Sequence, residues 1–375
     1  MSRRTSTFEM RTNRPDRLAE ALVRQVELSH ARSLLLFVSG ELAHGVAALA
    51  QQLATQAPAT NCLILPTVGV LTERGEIAGE SACAALLLQR PMPVWTGKRG
   101  DAAFGQRLCE MLDPRPGSTA MVALGTSDDD DGWLEHVTAH FRRQTPPLFG
   151  GGLLPGHNAC AIDRGIVQLG GAAAAVFPPY LVARLRASSA CRLISPLRQV
   201  TKSRGSVLHE VEGMMALDRL SEATSELTQQ PLVLLAVAAG ENPLSKQGRS
   251  IALCTIQGVD PGRGALIFAE QIPEGARVAF AVRDPHASRQ DLQAQMASLK
   301  MECAGSAPEF GVLINCAARG RGLYGADDVD LRIIKKSFPH LPLVGMHSAF
   351  ELAPLGGRTI PQIYNAVLGV FCSPS

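Results

Sequence analysis

Three short stretches of the 375-residue chain carry polar residues where chemistry could be done. The segment "PLVGMHSAFELAPLGG", Pro342 to Gly357, is an apolar strand-like run broken by His347, Ser348 and Glu351 ahead of a Pro/Gly turn. "LINCAARGRG" ends a similar run in Cys316 and then offers Arg319 and Arg321 beside Gly320. "LFGGGLLPGHN" ends in Gly150, Gly151 and Gly152 with His157 and Asn158 close behind. An arginine can grip a carboxylate through two parallel hydrogen bonds, and glycines let the chain turn tightly and expose N–H groups. Glu351 could pair an ammonium group or orient an arginine. His347, beside Met346 and Phe350, has the setting of an axial haem ligand. Cys316 near two arginines could be a lowered-pKa thiol, although the sequence places no histidine as its base.

Other constellations are absent. There is no G-x-x-x-x-G-K-[ST] loop, no G-x-G-x-x-G opening a helix, no G-x-S-x-G and no H-E-x-x-H. "HVTAH" sets His136 and His140 one helical turn apart, but on a helix that reads as exposed surface. The acidic run of "SDDDDGW" lacks the alternating carboxylates and distal glutamate of a calcium loop.

Positioning these residues requires strands that end at them. "SLLLFVSG" reads as a buried strand, "HGVAALAQQLATQ" as a helix, "NCLILPTVGV" as a second apolar run, then a turn at "ERGEIAGE" and the strand "ACAALLL". The order recurs from "AMVALGTS" through "GWLEHVTAHFRRQ" and "PPLFGGG" to "GGAAAAVF". It recurs again from "FGVLINCAARG" through "VDLRIIKKSF" and "LPLVGMHSAFEL" to "YNAVLGVF". The first two strands start roughly 25–30 residues apart, and the pattern is a strand-helix-strand-turn-strand repeat. A leading helix over Asp16–Ala31 is expected to bury Leu18, Leu22, Val26 and Leu28, with Asp16 as its N-cap. Between the second and third copies lie a hairpin, a helix and a β-meander turned by "DPG" and "PEG". The fold class is therefore α/β with an α+β layering: mixed β-sheets covered by helices. The expected divisions are a lead-in over 1–30, one domain over 31–190 and a second over 191–375.

The composition sets outer bounds. The chain is 46% hydrophobic and 19% charged with a formal net charge of +2, which favours a globular protein and gives no global pull toward nucleic acid or membrane. A local imbalance, seven basic residues and no acid from Arg164 to Arg204, reads as a solvated sheet face or as a wall toward an anion. Nine cysteines are scattered without a C-x-x-C pair or zinc-type spacing, no signal peptide opens the chain, and no run reaches the length of a membrane span. The expected compartment is the cytoplasm.

The residues resemble the FIST family, with FIST-N and FIST-C domains. "CAARGRGLYG" is similar to that family's C-N-G-R-G-R-x-L-F-G, and "PLVGMHSAFELAPLGG" to P-L-x-G-F-F-x-x-G-E-I-G-P-x-G-G. "ACRLISPLRQVT" is similar to G-C-R-P-I-G-P-P-x-x-V-T, and "EGARVAFAVRD" to E-G-x-x-V-x-F-x-V-R-D. The resemblance covers about residues 15–372 and implies a sensory module rather than an enzyme. It would bind a small molecule, amino acid-like or another anion, and signal to a partner protein in trans. Relatives that bind haem, or that recognise protein substrates, make a haem sensor at His347 and a ligand-free scaffold the alternatives. Carried across, the matching positions are Cys191, Arg192, Cys316, Arg319, Gly320, Arg321, Gly345, Glu351 and Pro354, with Thr67 and Gly69 in the first half; Ser348 completes the expected rim. Phe350 stands where the family has glycine, Ala317 and Ala318 replace Asn-Gly, and Ala190 and Ser195 replace two further glycines. Phe350 is expected to narrow the pocket of the inherited ligand.

Overall fold

A computed structural model describes residues 5–112, 117–125, 132–141, 146–227, 232–238, 251–355 and 358–373. The chain forms two compact units: residues 1–188, 292–361 and 365–375 make the first, and 189–291 with 362–364 make the second.

The first unit contains the repeat three times. Copy one runs β1 (Thr5–Arg11), α1 (Pro15–Ser29), β2 (Ser33–Val38), the short α2 (Glu41–His44), α3 (Val46–Gln56), β3 (Asn61–Pro66), β4 (Gly69–Thr72), β5 (Gly75–Ala78) and β6 (Ala82–Leu88). Copy two runs β7 (Val94–Gly97), α4 (Ala102–Leu112), β8 (Thr119–Leu124), α5 (Gly132–Phe141), β9 (Leu148–Gly152), β10 (Ala159–Asp163), β11 (Ile166–Gly170) and β12 (Ala172–Phe177). Copy three opens with β13 (Val182–Ser189), and the second unit follows before it resumes. The second unit comprises β14 (Cys191–Leu193), β15 (Arg198–Arg204), β16 (Val207–Val211), β17 (Met214–Met215), α6 (Ala216–Thr224), β18 (Val233–Ala238), β19 (Ile251–Asp260), β20 (Ala265–Phe268) and β21 (Arg277–Arg283). Copy three then continues through α7 (Pro285–Glu302), β22 (Ala307–Cys316), α8 (Gly320–Tyr324), α9 (Val329–Ser337), β23 (Leu343–Ser348), β24 (Glu351–Leu355), β25 (Arg358–Gln362) and β26 (Asn365–Ser373).

In each copy the two strands flanking the crossover helix run parallel: β2 with β3, β8 with β9, β22 with β23. The closing strand returns antiparallel to the first, β6 on β2, β12 on β8 and β26 on β22. The hairpin between them leaves its own sheet. β4–β5 joins β23 of copy three, β10–β11 joins β3 of copy one, and β24–β25 joins β9 of copy two. The exchange is cyclic, so three six-stranded sheets of the same strand order are each completed by the neighbouring copy. For this reason "NCLILPTVGV" and "LPLVGMHSAFEL", which read as single runs, are each two strands in two different sheets.

Strand alternation builds two kinds of core. Leu35 and Phe37 of β2, Met121 and Ala123 of β8, and Phe310, Val312 and Ile314 of β22 meet in one cluster shared by the three sheets. Residues on the opposite faces pack under helices: α1 and α3 over sheet one, α4 and α5 over sheet two, α7 and α9 over sheet three. Fully covered strands explain why β2, β6 and β12 are apolar at every position or nearly so. Helix α1 buries Leu18, Ala19, Leu22 and Val26, whereas Leu28 is 77% exposed. Two residues beyond Val26 is about 200° around a helix, so Leu28 falls on the outer side. The helix begins at Pro15, with Arg14 as N-cap and Asp16 inside the first turn, where its charge suits the dipole.

In the second unit the strands close on themselves: β21, β15, β16, β20, β19 and β18 pair in sequence, and β18 pairs back onto β21. Val200, Leu208, Leu235, Leu266 and Phe280 form its interior. Gly205, at φ +60°, makes the turn between β15 and β16.

Candidate functional site

The hairpin exchange creates a crossover in each copy, where the chain leaves one sheet for the next. In copy one this is Pro66–Gly69, in copy two it follows Gly152, and in copy three it is Ser348–Glu351. Crossover one bonds to its own copy, and crossover two bonds to crossover three. The Thr67 hydroxyl donates to the Gly69 carbonyl at 3.0 Å and its N–H to the Val38 carbonyl at 2.8 Å. Gly152 N–H lies 2.8 Å from Ser348 Oγ and 2.9 Å from the Phe350 carbonyl, which locks crossover two against crossover three.

Crossover three is built around Arg319, whose side chain is 0% exposed. Its Nε and Nη2 donate to the two carboxylate oxygens of Asp330 at 2.8 and 3.0 Å, Nη2 also meets the Tyr324 hydroxyl at 2.9 Å, and Nη1 donates to the Ser188 carbonyl at 3.1 Å. Asn315 Nδ2 and the Tyr324 hydroxyl donate to the same Asp330 carboxylate. Burial works against the guanidinium's charge, but the charge and hydrogen bonds of Asp330 outweigh it and hold its pKa above the ordinary value. Burial likewise pushes Asp330 up, and Arg319, Tyr324 and Asn315 together hold it below the usual carboxylate range. Arg319, expected to meet an anionic ligand, is thus fully engaged by the protein's own groups. Neither is it hydrogen-bonded to Glu351.

Glu351 is also 0% exposed. Its Oε2 accepts the Asn365 N–H at 3.0 Å, and Oε1 receives no N–H or O–H donor. Burial raises its pKa well above the ordinary value; the Asn365 N–H, the Arg319 charge and the Cys316 thiol pull the other way without restoring it. Burial thus favours the protonated carboxyl. Cys316, 4% exposed, has this acid rather than an imidazole as its neighbour, which is not the setting of an activated nucleophile.

His347 stands beside Asn315 in the parallel register and opposite Gly69 of β4. It is 4% exposed; Nε2 lies 3.3 Å from Glu76 Oε2 without hydrogen-bond alignment, and neither ring nitrogen has a hydrogen bond. Gly69 is required by this approach, because a Cβ there would stand 2.9 Å from the His347 ring and 2.8 Å from the Ile77 carbonyl. Gly320, at the start of α8, also lies near the ring, and a Cβ there would make only an ordinary contact, 3.9 Å from His347 Cε1. Glu76 is held by reciprocal bonds with Asp328: each backbone N–H donates to the other's carboxylate at 2.7 Å. A haem does not fit here. Iron on Nε2 would displace the Glu76 carboxylate, and Gly69 backbone closes the ring from the side.

The remaining expected residues spread out. The Ser348 hydroxyl donates to the Phe350 carbonyl, and Phe350 lies against Gly152, where a Cβ would fall 2.8 Å from its ring; Arg99 covers its other side at 5.8 Å. The Phe350 ring thus fills the space that Gly152 leaves open. Arg321 is 75% exposed and paired to Asp327. Cys191 and Arg192 belong to the second unit, where Arg192 Nε donates to Asp284 at 3.0 Å. His157 meets His44, Nε2 to Nδ1, at 3.0 Å. His136 and His140 are exposed on α5, and the described residues contain no cluster of three metal-ligating side chains. The acidic run Asp128–Asp131 lies outside the described residues.

Sequence reasoning missed Asp330, Tyr324, Asn315, Glu76 and Asn365. Asp330 left a signal: it is an acid between Val329, Leu331, Ile333 and Ile334 on the buried face of α9. Five of the eleven buried side-chain N or O atoms without a hydrogen-bond partner among the described residues belong to this crossover: Ser188 Oγ, Asn315 Oδ1, both nitrogens of His347, and Glu351 Oε1.

The architecture is that of a three-copy α/β repeat protein carrying a barrel unit, with five of its eleven unsatisfied buried polar atoms among the described residues at one crossover. The chain belongs to the FIST family: the FIST N domain matches residues 33–214, through the first two copies into β17, and the FIST C domain matches 216–354, from α6 into β24. FIST domains are small-ligand-binding sensory domains of signal transduction. Among its relatives are an uncharacterized protein of Mycobacterium tuberculosis, 31% identical over 190 residues, and one of Mycobacterium bovis, 26% identical over 190 residues. The alignments cover 49% of this chain and 49% of each relative, so the chain spans about half the length of the curated relatives it matches.

Proposed function

We propose that this protein is a non-enzymatic sensor that binds a small ligand at crossover three and passes its state to a partner protein in trans. One observation carries the reading: the concentration of buried, unpartnered polar atoms around Glu351 and His347. Such groups each cost free energy unless a water, ion or ligand completes them. Because Arg319 is committed to Asp330, the reading assigns recognition to Glu351, Asn315 and His347 and favours a ligand with hydrogen-bond donors, an amine or amino acid, over a simple anion. The cytoplasm is the proposed compartment, since all nine cysteines are thiols and eight are buried. No described helix is long and apolar enough to cross a membrane.

A thermal-shift screen of amines, amino acids, nucleosides and simple anions tests the reading against Glu351→Gln. A ligand raises the midpoint by mass action, and the shift should fall in the variant. An ammonium ligand must deprotonate Glu351, so its affinity should rise with pH. A flat response to every compound would favour instead a ligand-free scaffold, the reading to which the Phe350 plug against Gly152 lends its weight.

A further inference from the structure

A cleft lies at the opposite end of the strands from the crossovers, within the first unit. It has a volume of about 630 Å³ and lies between the β10–β11 turn, the start of β3, β7 and the last turns of α4. This is the size range of small-molecule sites. Three guanidinium groups line it, Arg32, Arg107 and Arg164, against the single carboxylate of Asp163. Arg164 reaches the rim because it takes the left-handed turn position, at φ +49°, and its N–H donates to Asn61 Oδ1 at 3.4 Å. The floor is Trp95, 2% exposed, with Arg107 over its ring at 5.9 Å. The Trp95 indole N–H is buried and has no acceptor. Such a donor normally finds a partner when buried. Pro91, Pro93, Pro178 and Pro179 supply apolar walls of low conformational freedom.

Arg164 is only loosely paired, its Nε 3.8 Å from Asp163 Oδ1, whereas the cleft of the second unit, about 330 Å³, is lined by Arg198 and Arg219, which are held at 2.8 and 2.9 Å by Glu212 and Glu222.

We propose that the cleft lined by Arg32, Arg107, Arg164 and Trp95 binds a small organic anion with an apolar body, its acidic oxygens on the arginines and the body against Trp95 and the prolines. The site is separate from crossover three and does not rest on the sensor reading. A carboxylate and a phosphate ester share the required head-group chemistry, and the probes distinguish them: benzoate, phenyl phosphate and inorganic phosphate at fixed ionic strength.

Binding is read by calorimetry and by tryptophan fluorescence, since Trp133 is the chain's second tryptophan and is fully buried. Phenyl phosphate or benzoate should bind saturably, and Arg107→Gln or Arg164→Gln should each weaken it by about ten-fold or more, as expected for a lost charge-assisted bond. Arg321→Gln and Glu351→Gln should leave it unchanged, which keeps this test distinct from that of the crossover. The proposal falls if no probe binds up to about 10 mM. It also falls if the Arg107 and Arg164 variants bind as well as the parent. Equal binding of inorganic phosphate and phenyl phosphate would overturn the apolar-body assignment.

Discussion

The same position in the fold is occupied twice with different electrostatics, three arginines and one carboxylate in one cleft, Glu73 and Lys335 in the other. The cleft of copy two places the β10–β11 turn beside β7, α4 and the start of β3; that of copy one places the β4–β5 turn beside β1, α1 and the start of β23. Their volumes are nearly equal, about 630 and 670 Å³. In copy one the turn residue Glu73 is consumed by the structure: Thr7 donates to Oε1 at 2.7 Å and the Leu343 N–H to Oε2 at 3.1 Å. Its backbone adds a bond to the Leu343 carbonyl. In copy two the corresponding turn places Arg164, 3.8 Å from Asp163, at a cleft lined also by Arg32, Arg107 and Trp95, whose indole N–H has no acceptor. Equivalent geometry therefore does not imply equivalent use. In one cleft the turn carboxylate is held by the protein's own donors, and in the other the turn guanidinium is exposed with one carboxylate 3.8 Å away.

Crossover three shows the same contrast within a few ångströms. Arg319 and Asp330 complete one another, whereas Glu351 and His347 do not find full sets of partners. The largest expected effect follows from the complete half. Asp330→Ala leaves a buried guanidinium without its counter-charge and should lower unfolding stability by about 3–5 kcal/mol. Urea denaturation measures it. A loss below about 1 kcal/mol would mean that the pair is not the brace described here.

The Glu73 staple is the next test. Glu73→Gln removes the charged acceptor of two hydrogen bonds, and the expected loss is about 1–3 kcal/mol. A double-mutant cycle with Thr7→Val should show the two changes coupled, because they share one bond. Independence would place the staple elsewhere and weaken the comparison of the two clefts.

Glu351 predicts a pH dependence with a definite sign. Its folded pKa is raised, so above the unfolded pKa of about 4.3 the unfolded chain releases a proton that the folded chain retains. Stability then falls with pH by about 1.4 kcal/mol per unit until the folded pKa is reached. Glu351→Gln removes that slope and keeps an oxygen for the Asn365 N–H. The variant should gain on the parent as pH rises from mildly acidic to neutral. Asp330 acts oppositely: its folded pKa is depressed, and its stabilisation disappears as pH falls below the unfolded value. A stability difference between Glu351→Gln and parent that stays constant with pH would mean the acid is not held neutral.

Much of the fold could be read in advance because it rests on local pattern. The three copies announced themselves through apolar strands, helices and Gly/Pro turns in the same order. The cyclic hairpin exchange was not legible, since "LILPTVG" has the same alternation whether it forms one strand or two in different sheets. Burial on both faces removes the periodicity that would have marked the break. The site was legible only in part. Glu351 and His347 stood out as polar residues in apolar runs, but whether Arg319 faced a ligand or Asp330 depended on how α9 docks on its sheet. Glu76 lies some 270 residues from His347 along the chain, and only the hairpin exchange brings them together. Phe350 read as a narrowing of a pocket, and the structure shows what it fills: the space beside Gly152.

The smallest effect separates the two clefts most sharply. Three guanidinium groups around one carboxylate repel one another in the free protein. Arg107→Gln should therefore leave unfolding stability unchanged or raise it, by no more than about 0.5 kcal/mol. The gain should be largest at low salt and vanish near 1 M, where the screening length is about 3 Å. Glu73→Gln, at the equivalent cleft, must go the other way and lose stability at every salt concentration, because its bonds are direct and partly buried. Opposite signs in equivalent clefts are the signature of arginines retained for a ligand at some cost to the fold. If Arg107→Gln instead destabilised the protein as Glu73→Gln does, with no salt dependence, the arginine would be a structural staple like its counterpart, and the two clefts would differ in residue type alone.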